Sequence, residues 1–359
     1  MRATCIACLL LSACARPVLA QHAEASFFAI DTIVAVDETV DVNGNNSTGV
    51  LFDAVVSTDF GGGFQAIVRP FVLRQSSGEW NRQIWIAQVR YERSGPVGLR
   101  VDAGLIPSPV GLNNLTLRPP FNPTIAQPSS LFSVLPPLEP RGMRATLLGA
   151  LYAYGVQTTV SGERWDARAA VVDHSPLRTR RVFAQTNPPR FPNVVFGGGI
   201  TPIVGVRVGA SITAGGWQQE GETAFASEDR AATIATVETE ISFRHTRILG
   251  EWIRDVIQTT TGDRVASGWY VTGQQTLSPR WFVAGRVERI ASPAVLFPPA
   301  DVSTPVVIDQ RLQGVEETIG YRITPDITLR ASHRARRSFG LPGFDHTFAT
   351  SVVWWRRWM

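Results

Sequence analysis

Apolar and polar residues alternate along this chain in run after run. From 203 to 214, Val204, Val206, Val208, Ala210 and Ile212 fall on one side, and Gly205, Arg207, Gly209, Ser211 and Thr213 on the other. From 97 to 105, Val97, Leu99, Val101, Ala103 and Leu105 oppose Gly98, Arg100, Asp102 and Gly104. In the stretch 85–92, Trp85, Ala87, Val89 and Tyr91 oppose Gln88, Arg90 and Glu92. A period of two marks a strand with one apolar and one wet face. The pattern predicts strands near 25–37, 48–58, 63–74, 80–92, 97–105, 143–160, 164–174, 193–200, 203–215, 231–243, 245–258, 265–277, 280–290, 311–323, 326–336 and 344–357. Many of these runs exceed the usual five or six residues and approach the roughly 9–11 needed to cross a bilayer.

The connections alternate too. Short ones follow the even-numbered runs, at 59–62, 93–96, 161–163, 201–202, 244, 278–279 and 324–325. The longest follow odd-numbered runs, at 38–47, 106–142, 175–192, 216–230, 291–310 and 337–343. Three short turns share one chemistry: Thr201-Pro202, Ser278-Pro279 and Thr324-Pro325. Proline pre-sets the second turn position, and the hydroxyl before it can bond the turn's backbone. The expected fold is all-β: an antiparallel, up-and-down transmembrane β-barrel of about 16 strands. A soluble β-sandwich also alternates, but it does not call for such long strands or for short and long connections on opposite ends.

Composition agrees. Of 359 residues, 44% are hydrophobic and only 18% charged, against roughly 25% charged in ordinary soluble domains. The apolar residues are dispersed: beyond the first residues no run approaches the roughly 18–20 that a membrane helix requires. Every basic side chain except histidine is arginine, and the net charge is +4. With arginines spread along strands and no basic stripe, nucleic acid is not an expected partner.

Residues 1–20 read as a signal peptide: Arg2, a short apolar core, and Val18-Leu19-Ala20 as a small-residue cleavage site. Leu11-Ser12-Ala13-Cys14 also resembles a lipobox, which would leave Cys14 lipidated. Cys5, Cys8 and Cys14 are the only cysteines, so a chain cut after Ala20 has no disulfide and no Cys metal site. Residues 21–359 are then one barrel domain. Within it, 106–142 is a long loop carrying nine prolines, which forbid a ladder or a long helix. Its apolar residues, among them Leu112, Phe121, Leu131 and Leu135, argue for packing, and irregular loops of this length are usually functional or disordered.

Sixteen strands, a long third external loop, Ser/Thr-Pro turns and a final strand carrying Trp354, Trp355 and Trp358 resemble a bacterial outer-membrane porin. The stretch Val101 to Leu112 is similar to the segment before the long loop in the phosphate-selective porin O and P family. The resemblance implies passive diffusion of small hydrophilic solutes or ions, outer-membrane lipid as a partner, a loop folded into the lumen, and a homotrimer. The chain departs from that family in having no lysine for the anion path and in ending on Met359.

For a pore, the chemistry lies in the charges on the wet faces. Arg69, Arg90, Arg100, Asp102, Arg168, Arg207, Glu238, Glu240, Arg286, Glu288, Arg330 and Arg334 are the expected lumen-facing residues. Asp53, Asp166, Glu251 and Glu316 join them, and Arg82 falls on the same side by count. Opposed charges across a narrow lumen create a transverse field that orders water and favours small polar solutes. Arg118, Arg141 and Arg144 on or beside the loop are candidates for the constriction, with a mild anion preference. No cofactor is implied. His22, His245, His333 and His346 are isolated in sequence and give no metal spacing. Asp173-His174-Ser175 has the residue types of a triad, but neighbours on a strand point to opposite faces. Two other readings remain: an outer-membrane barrel enzyme of esterase or phospholipase type, and a plugged structural or adhesion barrel.

Overall fold

The computed structural model describes residues 28–74, 78–112, 118–139, 143–149, 153–178, 192–222, 226–296 and 306–358; the leader, Arg141 and Met359 lie outside them. It contains strands β1 (Phe28–Asp41), β2 (Asn46–Gly61), β3 (Phe64–Arg74), β4 (Trp80–Arg93), β5 (Gly98–Ile106), β6 (Ala153–Ser161), β7 (Trp165–Val172) and β8 (Asn193–Ile203). These are followed by β9 (Val206–Gln218), β10 (Arg230–Phe243), β11 (Thr246–Ile257), β12 (Arg264–Thr276), β13 (Trp281–Leu296), β14 (Val306–Arg322), β15 (Ile327–Arg337) and β16 (Asp345–Trp358). One short helix, α1 (Ser129–Phe132), lies between β5 and β6. Each strand pairs antiparallel with its neighbours in sequence, and β1 pairs with β16, closing the sheet into a 16-stranded barrel. Closure removes the sheet edges that an open sheet would expose.

The connection 38–47, expected to be long, is instead a short turn at one end of the barrel, because β1 runs on to Asp41 and β2 begins at Asn46. Most of the short turns cluster at the other end. Thr324 works there as the sequence suggests: its Oγ1 accepts from the N–H groups of Asp326 and Ile327, at 3.2 and 3.1 Å. Ser278 Oγ accepts from Trp281 N at 3.1 Å. Pro279 and Pro325 sit in these two turns. Pro202 does not. β8 continues through Ile203, with a register irregularity between Ile200 and Ile203, and the turn falls on Val204 and Gly205. The reason is Gly205, at φ +87°, whose Cβ position would lie 2.2 Å from the carbonyl oxygen of Ser242. Only glycine tolerates that conformation and that approach.

Two other expectations are corrected. The predicted strand 143–160 begins only at Ala153. Residues 143–149 belong to the long insertion, where consecutive Leu147 and Leu148 are both buried and alternation is lost. Trp85 is the extra residue of a bulge opposite Arg69 and Pro70, and bulges re-aim a side chain. Its ring stacks on Phe71 at 3.9 Å and its Nε1 donates to Gln83, so it joins the face that alternation assigned to polar residues. The same bulge leaves Arg82 exposed beside Trp80 and Ile84, on the outer face.

The packed core lies inside the ring. Leu131, Leu135, Leu138, Leu147 and Leu148 of the insertion form one buried cluster with wall residues such as Trp217, Ile234, Ile253, Ile290 and Leu312. The outside carries exposed apolar residues on almost every strand, for example Phe52, Phe196, Val237, Trp252, Ile319 and Val352. A continuous exposed apolar band is foreign to a protein surrounded by water and is the outer surface of a transmembrane barrel.

Candidate functional site

The insertion between β5 and β6 is held against the inner wall by side chains from most of the ring. Gly111 N donates to Ser211 Oγ on β9, and Leu112 N to Glu251 Oε1 on β11. On the opposite wall, the Arg118 guanidinium meets Asp31 of β1 at 3.1 Å and Asp53 of β2 at 3.3 Å. Phe121 packs edge-on against Trp355 of β16. Arg330 on β15 donates from one nitrogen to the carbonyls of Pro119, Asn122 and Thr124, and from another to Ser351 Oγ. Arg286 on β13 bonds Thr124 Oγ1, the Ala126 carbonyl and Glu316. Glu316 in turn accepts from Ile125 N and Ala126 N.

The α1 region is fixed in the same way. Glu288 accepts from Ser129 and from Arg334 at 3.0 Å, and Arg336 donates to Ser133 Oγ. Farther along, Glu139 pairs with Arg230 of β10 and accepts from Thr260. Carbonyls of Pro119 and Pro137 act as acceptors here. A proline-rich segment, having few N–H donors of its own, is matched by a wall that supplies arginines.

This sorts the expected lumen charges into two groups. Arg286, Glu288, Arg330 and Arg334 face inward, yet they bond the insertion. The second group pairs along the wall. Arg69 clasps Asp53 through two bonds of 2.8 and 2.7 Å, with its guanidinium over the Trp85 ring. Arg90 and Gln88 both bond Asp102, and Arg100 Nε lies 3.1 Å from its other oxygen. Arg168 and Arg207 share Glu238, and Arg207 also holds Asp166 at 2.9 and 3.0 Å. Arg247 bonds Glu240. Planar guanidinium suits such bidentate and shared contacts better than an ammonium would.

At Asp102 and Glu238 the cation is the more accessible partner, whereas Asp166 is as exposed as Arg207. The Arg100 side chain is 40% exposed and Asp102 5%; Arg207 is 23% exposed and Glu238 1%. Arg118 is a clamp between the insertion and β1–β2. Arg144 is exposed and precedes Ala145, which makes an isolated bridge with Arg178. The insertion's contributions, Ser129, Thr124 and the carbonyls, have no signal in the sequence, because loop register against a wall is not periodic.

The Asp173-His174-Ser175 stretch forms an Asp–His contact of 2.7 Å. The serine hydroxyl instead accepts from Leu177 N. Among the described residues no group of three or more His, Cys, Asp and Glu side chains could hold a metal ion.

No protein-family model matches the chain, and no curated protein matches it in sequence. Solved structures match over nearly its whole length. OmpT, an outer membrane protein of Vibrio cholerae, superposes with a TM-score of 0.61 at 7% identity, covering 93% of this chain and 100% of that one. Salmonella typhi OmpF, solved in complex with daunomycin, gives 0.60 at 9% identity, covering 92% and 97%. An anion-selective porin from Comamonas acidovorans gives 0.59 at 11% identity, covering 92% and 100%. At such identities the likeness is one of fold.

Proposed function

We propose that this 16-stranded barrel, which has the fold of the bacterial outer-membrane porins, is a passive diffusion channel for small hydrophilic solutes or ions in the outer membrane of a Gram-negative bacterium. One observation carries the reading: among the described residues, the polar contacts of the insertion go to β1, β2, β9–β11 and β13–β15, while Arg90, Arg100, Arg168 and Arg207 pair with carboxylates along the wall. A water path runs beside that polar wall, past Arg90, Arg100, Asp102, Arg168 and Arg207. Arg118 marks the edge of the narrowest part.

Selectivity in this reading is weak and slightly in favour of anions. The charges are mixed in sign, but at Asp102 and Glu238 the arginines reach further into solvent than the carboxylates, so a passing ion meets guanidinium first there. The Comamonas relative is described as anion-selective, which agrees in direction. Export by the N-terminal leader and a homotrimeric state belong to the same proposal; one description of the Vibrio relative is of a trimer form.

The buried leucine cluster of the insertion favours a second reading, a barrel whose lumen is plugged. Purified protein in planar bilayers separates the two. Discrete conductance steps that scale with salt concentration support the channel; a folded barrel that gives none supports the plug.

A further inference from the structure

The apolar outer face changes character on β11–β15, toward the end away from most of the short turns. Register aligns Trp252, Trp269, Arg289, Gln313 and Arg337 in one row across the five strands, and Arg254, Ser267, Ala291 and Arg311 in the next row outward. These side chains point away from the lumen, because their chain neighbours Ile253, Tyr270, Glu288 and Leu312 are buried inside and Arg336 bonds the insertion. Arg254 and Arg311 are exposed, and Arg289 and Arg337 are half-buried. Among the described residues none of the four arginines pairs with a carboxylate. Arg337 donates to Gln313 Oε1 at 2.8 Å, which leaves the Gln313 amide nitrogen to donate elsewhere. The acids on this face are Asp309, two residues beyond Arg311, and Glu317, four residues below Gln313. By contrast, the outer faces of β5–β10 carry no basic residue; β9 presents Val208, Ala210 and Ile212.

The row of Arg289, Gln313 and Arg337 stands eight residues from the row of Trp281, Tyr321 and Leu329 at the short-turn end. That is roughly 20 Å along the barrel axis for tilted strands, and the row of Arg254 and Arg311 lies about 5 Å farther. The apolar band of such a barrel is about 25 Å tall, so the arginines stand at its far boundary. Trp252 and Trp269 mark the same level, since indole rings gather at the depth of the lipid headgroups.

We propose that this patch binds the phosphorylated headgroup of a membrane lipid in the leaflet that borders the long connections. Arg289 and Arg337 flank Gln313, and Arg311 stands beyond it on the same strand. Neighbouring strands lie about 4.8 Å apart, and alternate residues of one strand about 7 Å. The three arginines therefore start from a triangle roughly 8–10 Å on a side, and their long side chains can close on one anion. The guanidinium fork matches phosphate oxygens two at a time, and the Gln313 amide nitrogen adds a donor at the centre. Four arginines against Asp309 leave the two rows positive, complementary to an anionic headgroup. Immediately below them, Val287 and Val315 are exposed and apolar. A lipid meets both surfaces, phosphate on the arginines and acyl chain on the valines, whereas a free anion meets only the first. The proposal rests on the barrel standing in a membrane and not on conduction.

The test is native mass spectrometry of the folded barrel released from uncharged detergent micelles that hold equal amounts of phosphatidic acid and phosphatidylcholine. The expected result is retention of phosphatidic acid over phosphatidylcholine. Arg289→Gln combined with Arg311→Gln and Arg337→Gln lowers that retention several-fold. Arg82→Gln combined with Arg280→Gln and Arg356→Gln removes three exposed arginines elsewhere on the barrel and leaves retention as in the wild type. Both variants keep the wild-type circular dichroism of a β-barrel, which separates loss of the site from loss of the fold. Equal retention of the two lipids would overturn the proposal, as would retention unchanged in the first variant or lowered equally in both. Displacement of the lipid by inorganic phosphate at the same concentration would also overturn it, because the site would then take a free anion.

Discussion

Glu288 holds Ser129 at two points, accepting from its backbone N–H at 2.7 Å and from its hydroxyl at 2.6 Å. This ties the insertion to the middle of β13, and the same carboxylate faces Arg334 and Arg286. Glu288→Ala removes the shared partner of two inward arginines and frees the α1 turn. Breaking a buried pair on one side costs on the order of 3–5 kcal/mol. The expected outcome is a lower temperature for the heat-induced mobility shift on gels and noisier open-channel current. An unchanged transition and quiet current would mean the insertion is held elsewhere.

Arg118→Ala leaves Asp31 without its guanidinium and Asp53 with Arg69 alone. Two carboxylates gain weight at the edge of the proposed path. In a salt gradient the reversal potential should move toward cation preference. A reversal potential identical to the wild type would take Arg118 out of the ion path.

Arg100→Ala combined with Arg207→Ala tests the wall. Arg100 is more exposed than Asp102, and Arg207 more exposed than Glu238; removing them uncovers these two carboxylates and leaves Asp166 without its guanidinium. Anion preference should fall or invert while unitary conductance changes modestly, since lumen substitutions tune selectivity more than they unmake the barrel. Little effect on selectivity would place the path away from β5 and β9.

Gly205→Ala forces a residue with a Cβ into the left-handed region, at about 1–2 kcal/mol, and against the Ser242 carbonyl 2.2 Å away. Thr324→Ala loses only two hydroxyl-accepted bonds, about 1 kcal/mol. Refolding yield in detergent should fall clearly for the first and slightly for the second. Equal yields would contradict the assignment of the β8–β9 turn to Gly205.

Strand number, order and the turn end were legible because alternation and short Pro or Gly turns are local signals. The wet face of β9, from Arg207 to Thr213, needed no tertiary information. Three things were not legible, each for a non-local reason. The bulge at Trp85 reverses a face through one extra residue. Val204-Gly205 displaced Thr201-Pro202 as the turn because a neighbouring carbonyl leaves no room for a side chain. The fate of Arg286, Arg330 and Arg334 depends on where a proline-rich segment with no period comes to rest. Alternation placed these arginines inside the barrel, and only the contacts with Thr124, Ser129 and the loop carbonyls reveal what they hold.

The most direct test is single-channel recording from the purified, folded barrel in a planar bilayer. The channel account predicts stepwise current increments whose size scales with salt concentration, with a small anion preference in the reversal potential. Folded protein that inserts and gives no steps at any salt concentration would contradict it.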